Sequence, residues 1–264
     1  MSAAGPARTA ALEGRRVPAL GGFNLTFLYL EIRRLLRNRR TVLFTLVLPV
    51  VFFLLFRSNK RIGQRGGAQL AAEIMIGIAV YGAMTAATSG GALVSVERAL
   101  GWSRQLRLTP LRPAAYIVIK LLTAMLLGLA SVAVVYVAGA VDGVQMPVQT
   151  WLLSGTLAWA AALVFAAFGL FMGYLLPSEN VMQIIGPILG AFALLGGLFV
   201  PVSLLPTAIQ DIAPYMPPYG VAQIARFPLL GGTFDVTWVL SVVLWTAAFA
   251  IGAMLLFRRD TRRT

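Results

Sequence analysis

Two apolar runs of bilayer length lie almost end to end in this chain, and what separates them constrains the fold more than any other feature. One run is Ile74 to Val94. The other is Ala114 to Ala140, in which Lys120 is the single charge. Between them sits Ser95 to Pro113, SVERALGWSRQLRLTPLRP, a basic island punctuated by glycine and proline. A helix needs about 20 mostly apolar residues to cross the hydrocarbon core of a membrane. Two such runs joined by a charged stretch too short to fold alone predict a helical hairpin in a bilayer. The island is then a loop at the water interface, where a soluble partner can grip.

The rest of the chain repeats the pattern. Of its 264 residues, 59% are hydrophobic and 12% charged, whereas a soluble domain carries about 25% charged residues. The apolar residues come in blocks that read as spans at 40–57, 73–96, 114–139, 150–176, 181–200 and 236–257. The expected fold is therefore all-α and integral to the membrane, with six transmembrane helices. Pro49 falls in the short first span. Gly186, Pro187 and Gly190 fall in the short fifth. Proline inside a span is tolerable where a neighbouring helix or water satisfies the carbonyl it frees.

Two segments differ from plain spans. Phe23 to Arg40 places Leu25, Leu28, Ile32, Leu35 and Leu36 on one helical face and Arg33, Arg34, Arg37 and Arg40 on the other. Phe23 and Phe27 fall off the apolar face. This predicts an N-terminal interfacial helix with its cations toward lipid headgroups. Pro201 to Asp235 is apolar but broken by Pro201, Pro206, Pro214, Pro217, Pro218 and Pro228. It predicts a proline-broken outer segment between spans five and six, with short helices at 204–213 and 219–227. Residues 1–22 read as a disordered cytoplasmic tail, and 23–264 as a single transmembrane domain.

Orientation follows from the placement of lysine and arginine. Six spans put both termini on one side. That side collects the basic residues from Arg8 to Arg40, the four arginines of the 95–113 island, and Arg258, Arg259, Arg262 and Arg263. The other side collects Arg57, Lys60, Arg61, Arg65 and Arg226. The larger group is assigned to the cytoplasm. The net charge of +13 then serves membrane orientation and anionic headgroups rather than nucleic acid.

Much chemistry is excluded. The chain has no cysteine and no histidine, which removes thiol nucleophiles and the commonest acid–base group and metal ligand. No metal site is expected. A phosphate-cradling loop needs Gly-Lys-Ser/Thr, yet Lys60 is followed by Arg61 and Lys120 by Leu121. No cofactor is expected in this chain. The aspartates are scattered, so an intramembrane enzyme is disfavoured. Glu73, Glu97, Lys120 and Glu179 all sit near span ends. Lys120 lies about two turns inside the third span, within snorkelling reach of the interface. With no central charge, ion coupling loses its simplest mechanism. Thr85, Thr88, Ser89 and Gln183 either line a path or hydrogen-bond between helices; the second is the preferred reading. Gly169-x-x-x-Gly173 and Gly186-x-x-x-Gly190 permit close helix contact.

The residues Val96-Glu97-Arg98, Gly101 and Arg104-Gln105-Leu106-Arg107-Leu108-Thr109-Pro110-Leu111, with a second echo in Pro201 to Pro218, carry a resemblance. From about Phe23 onward the chain resembles permease subunits of type-2 ABC exporters, in the drug-exporter branch represented by daunorubicin-resistance permeases. It departs at Ala99 and Leu100, where that family tends to carry polar residues. The resemblance implies an efflux permease without catalysis of its own, forming half of a path for an amphipathic drug, lipid or natural product. It implies two copies of a cytosolic ABC ATPase, which would bind ATP and magnesium, and a second permease subunit, identical or paralogous. Antibiotic resistance is the implied role, and a bacterial inner membrane with both termini cytoplasmic the implied location. Loop 95–113 would couple to the ATPase through Glu97, Arg98, Gly101, Arg104, Arg107 and Pro110. The alternatives are a polysaccharide-exporting permease, for which Trp151, Trp159 and Phe165 could stack sugars, and a membrane anchor or sensor.

Overall fold

A computed structural model describes residues 29–30, 32–34, 37–58, 60–101 and 113–262. The described residues are overwhelmingly helical, with no strand among them. The helices are α1 (Leu48–Ser58), α2 (Lys60–Ala99), α3 (Pro113–Val141), α4 (Val148–Ala161), α5 (Leu163–Leu175), α6 (Ser178–Leu195), α7 (Thr207–Ile212), α8 (Pro217–Leu230) and α9 (Val236–Arg262). Five runs are long and apolar enough to cross a membrane: Gly67–Ala99, Ile117–Val141, Val148–Leu175, Ser178–Leu195 and Val236–Arg259. The third joins α4 and α5 across a kink at Ala162. The first predicted span is the shorter apolar helix Leu43–Phe56.

Proline explains why that first helix is irregular. A helical turn at Arg39–Val42 leads into a π-helical turn at Leu43–Val47, and α1 follows. Pro49 has no N–H, so the carbonyl four residues earlier, at Thr45, loses its helical donor. Ser131 of α3 supplies a replacement, donating from Oγ to the Thr45 carbonyl at 2.6 Å. The neighbouring helix thus satisfies the freed group, as expected for proline in a span.

The core forms around α2. Ile74, Met75, Ile76, Ile78, Ala79, Val80, Ala83 and Met84 are all buried there, and α1, α3, α5 and α8 pack around it. The tightest approach is to α5. A methyl group on Gly169 would lie 2.2 Å from the Thr88 carbonyl oxygen, and one on Gly91 would lie 2.6 Å from the Leu170 nitrogen. The first glycine pair therefore joins two helices of one chain. The second pair behaves differently, since the space beside Gly186 and Gly190 is open.

The proline-broken segment is more ordered and more deeply packed than its sequence suggests. Pro217 starts α8 at its first turn, where a missing N–H costs nothing. The helix runs past the expected 219–227 to Leu230, and it buries Val221, Ala222, Ile224, Ala225 and Arg226. It packs against α2, α4 and α9. The last span, α9, keeps an outward apolar face that includes Leu240, Leu244, Ile251 and Leu255.

Long-range contacts sort the bundle into two ends. Arg34, Glu97, Lys120, Gly173, Tyr174 and Phe257 meet at one end. Phe56, Glu73, Gly197, Phe199 and Arg226 meet at the other. The short first helix therefore runs from one end to the other, with Arg34 before it at one end and Phe56 in its last turn at the other.

Candidate functional site

The end of α2 is the densest polar junction in the described structure. Glu97 and Arg98 are consecutive, so the helix points them about 100° apart and toward different neighbours. Glu97 is buried, its side chain 6% exposed. One carboxylate oxygen accepts a hydrogen bond from Lys120 Nζ of α3 at 2.5 Å and another from Arg34 Nη1 at 3.2 Å. Lys120 is itself buried, 3% exposed. The expected snorkelling does not occur: its ammonium turns inward because a carboxylate of opposite charge waits there. A buried carboxylate is stable only when paired and hydrogen-bonded. Among the described residues two cations share that task, Lys120 and Arg34, from different elements.

Arg98 reaches the opposite way. Its Nη1 donates to the carbonyls of Gly173 and Tyr174, each at 3.1 Å. Its guanidinium carbon also lies 5.4 Å from the centre of the Tyr174 ring. Gly173 and Tyr174 belong to the last turn of α5, which ends at Leu175. The last carbonyls of a helix have no intrahelical donor and carry the negative end of its dipole. Arg98 caps both. The aromatic face adds a cation–π contact.

Helix α2 then stops abruptly. The Leu100 and Gly101 amides turn back to Val96 and Arg98, and Gly101 takes φ 69°. No described residue lies within reach of a side chain there, and the positive φ is one that glycine adopts without strain. Of the other loop residues predicted for coupling, Arg104, Arg107 and Pro110 lie outside the described residues. Among the interfacial arginines, Arg33 and Arg37 are exposed, and Arg34 joins Glu97. Residues 29–30, 32–34 and 37 are helical, and Ile32 is half-buried. Leu25, Leu28, Leu35 and Leu36 lie outside the described residues.

The polar span residues divide as follows. Thr88 is buried and donates to the Phe165 carbonyl of α5 at 3.3 Å, an interhelical bond. Thr85 donates within its own helix to Gly82, and Ser89 is half-buried beside it. Gln183 is exposed on α6, well separated in sequence and element from the α2 group. No cluster of three metal-ligating side chains occurs among the described residues.

Sequence reasoning missed a second polar junction, at the far end. Arg226 of α8 is 3% exposed. It donates from Nη2 to the Gly197 carbonyl at 2.8 Å and from Nε to the Glu73 carbonyl at 3.3 Å. Gly77 makes room, since a methyl group there would lie 2.3 Å from the guanidinium. The charge count assigns Arg226 to the outer side and the proline-broken segment places it in the expected 219–227 helix, but neither gives it a partner. The local signal for burial is its place between Ala225 and Phe227, inside an apolar run.

Residues 25–230 match the ABC-2 type transporter family. The chain belongs to that family. It is also similar to YvfS of Bacillus subtilis (strain 168), a chain named as a transport permease, at 27% identity over 230 residues. That alignment covers 86% of this chain and 90% of the relative. The family assignment and the apolar helices together make this a multi-pass membrane protein, and the matched region takes in both polar junctions.

Proposed function

We propose that this chain is the permease subunit of an ATP-driven exporter, with loop 95–113 as its docking element for a separate cytosolic ABC ATPase. The observation that carries this reading is the junction at the end of α2. There the loop leaves from a helix terminus that is bonded to three other parts of the bundle, so force on the loop reaches them all. ATP and magnesium belong to the ATPase, present in two copies, and the permease acts with a second permease subunit to complete the path. Dimerisation of the ATPases drives the two loops together and opens the path outward. The Arg34, Glu97 and Phe257 end is then cytoplasmic, and the host membrane is a bacterial inner membrane.

Cargo of amphipathic character, a drug, lipid or natural product, fits best. The buried charges among the described residues are Glu97, Lys120 and Arg226, and all sit at the ends of the bundle. Between them the described residues bury no charge, and the buried hydroxyls of Thr88 and Ser131 are engaged with backbone carbonyls. Rings that would suit sugar are engaged in packing: Phe165 is fully buried, Trp151 meets the Tyr136 ring edge-on at 5.3 Å, and the Trp159 N–H donates to the Met125 carbonyl. This favours drug efflux over polysaccharide export.

The test is co-purification of the permease with the ABC ATPase encoded beside it, followed by ATPase assays. Arg104→Ala with Arg107→Ala is expected to weaken association by at least about tenfold, as for loss of charged anchors at an interface. Hydrolysis of ATP by the permease alone, or undiminished binding by that double variant, overturns the reading.

A further inference from the structure

We propose that Glu73 and Arg226 form a binding site for an aminophospholipid headgroup, a phosphate ester carrying a primary ammonium, in the leaflet at their end of the bundle. Arg226 takes the phosphate and Glu73 the ammonium.

The donors of Arg226 are the first reason. A guanidinium has five N–H groups. Arg226 directs Nε at the Glu73 carbonyl and Nη2 at the Gly197 and Leu198 carbonyls. Among the described residues nothing accepts from Nη1, so two donors are left over. The residue is 3% exposed, and no described carboxylate forms an ion pair with it. Carbonyls satisfy its hydrogens but not its charge, and a buried cation is costly until an anion joins it.

Glu73 has the converse need. Its side chain is half-buried, and no described residue donates a hydrogen bond to its carboxylate. The two charges act on each other without meeting, and helix geometry explains why. The guanidinium lies against Gly77, one turn further along α2 than Glu73. Side chains on a helix lean toward its N-terminus, so the Glu73 carboxylate leans away from Gly77 and toward the end of the bundle. The result is a two-point site strung along α2, cationic within and anionic at its mouth.

Polarity and depth select the ligand. In an aminophospholipid the phosphate lies next to the acyl chains and the ammonium farther toward water, which is the same order. Glu73 precedes Glu97 on α2 by about 36 Å of helix axis. A bilayer measures about 30 Å across its hydrocarbon and about 40–45 Å with its headgroups. With Glu97 at one interface, Glu73 therefore lies at headgroup depth in the other. A phosphate with no ammonium would leave Glu73 unanswered, and a choline group brings a cation that has no N–H for the carboxylate.

The test adds lipids back to the delipidated full-length permease in detergent and counts those retained by native mass spectrometry. Phosphatidylethanolamine is expected to be held at least about tenfold more tightly than phosphatidylcholine or phosphatidic acid of the same chains, or a primary-amine lipid without phosphate, as for one added charge-assisted hydrogen bond. Glu73→Gln keeps the shape and removes the charge. It should bring phosphatidylethanolamine to within about twofold of phosphatidic acid. Phosphatidylethanolamine should also raise the melting temperature of the parent more than that of Glu73→Gln.

Retention by the parent of any of the other three lipids equal to that of phosphatidylethanolamine overturns the site, whether or not the variant folds. So does an undiminished preference in Glu73→Gln. A melting temperature lowered in Glu73→Gln by the same amount with and without phosphatidylethanolamine also overturns it, and makes the two residues an internal pair only.

Discussion

At the scale of single residues, the structure spends its polar groups on backbone that the sequence leaves exposed. Ser131 is the clearest case, because one buried carbonyl depends on it. Ser131→Ala should cost about 1 kcal/mol, the usual worth of such a bond, seen as a lower melting temperature in detergent. Adding Pro49→Ala should recover most of the loss, since the new N–H can bond the Thr45 carbonyl itself. If the double variant melts no higher than Ser131→Ala, the carbonyl account is wrong. Arg226 offers a sterner case. Arg226→Lys should fail to replace it, because a point ammonium cannot span the Glu73 and Gly197 carbonyls as a planar fork does. A melting temperature and folded yield equal to the parent would refute this. The sequence showed Pro49 and its need for a partner, but not the partner. Ser131 lies 86 positions away from Thr45, and nothing local to either residue reports that separation. Lys120 was misread for the same reason. Its depth in the third span was legible, while the carboxylate that turns it inward belongs to another helix.

Helices, the next scale up, show how far spacing alone carries. Apolar block lengths located the spans because hydrocarbon thickness fixes helix length whatever the packing. Two identical small-residue spacings then had opposite fates. Gly169 and Gly173 meet α2 almost backbone to backbone, whereas Gly186 and Gly190 face open space. Which face of a helix turns inward depends on its neighbours, and spacing within one helix cannot decide it. Gly169→Ala should therefore destabilise the fold by several degrees, since the Thr88 carbonyl cannot yield without moving α2. Gly186→Ala should be neutral or raise the melting temperature, by removing backbone freedom from the unfolded chain. Equal effects of the two changes would contradict the packing described. At the start of α9, Thr237 hydrogen bonds hold the Asp235 carboxyl below its usual range. A depressed carboxyl contributes stability above its unfolded value and loses it as pH falls through the folded one. Fraying of that helix end, followed by amide exchange, should thus grow only on acidification, and Asp235→Asn should blunt the response.

For the molecule as a whole, the two ends identified by contacts make a topological prediction. Cysteines introduced at Ser103 and Glu179 should react from one face of the membrane, and those at Gln145 and Asp211 from the other. Labelling of Glu179→Cys and Gln145→Cys from the same face would break the bundle as described. The apolar blocks were legible from hydropathy despite the basic stretch from Arg57 to Arg65: five are helices long enough to cross and the first is the shorter helix Leu43–Phe56. Contacts between distant parts, Arg34 with Glu97 above all, supply what charge counting lacked. One further consequence comes from Phe199. Its ring is wedged among Phe52, Phe56 and Tyr81, with centres 5.0 to 5.5 Å from Phe56, Phe52 and Tyr81, while Arg226 holds the turn just before it. Dispersion contacts of this kind decay within an ångström or so of separation. With Phe199 held back by Arg226, parting the first helix from the second at this end surrenders the Phe52–Phe199, Phe56–Phe199 and Phe52–Tyr81 contacts together, so that the far mouth of the bundle works like a press-stud, shut or sprung, with little stable ground between.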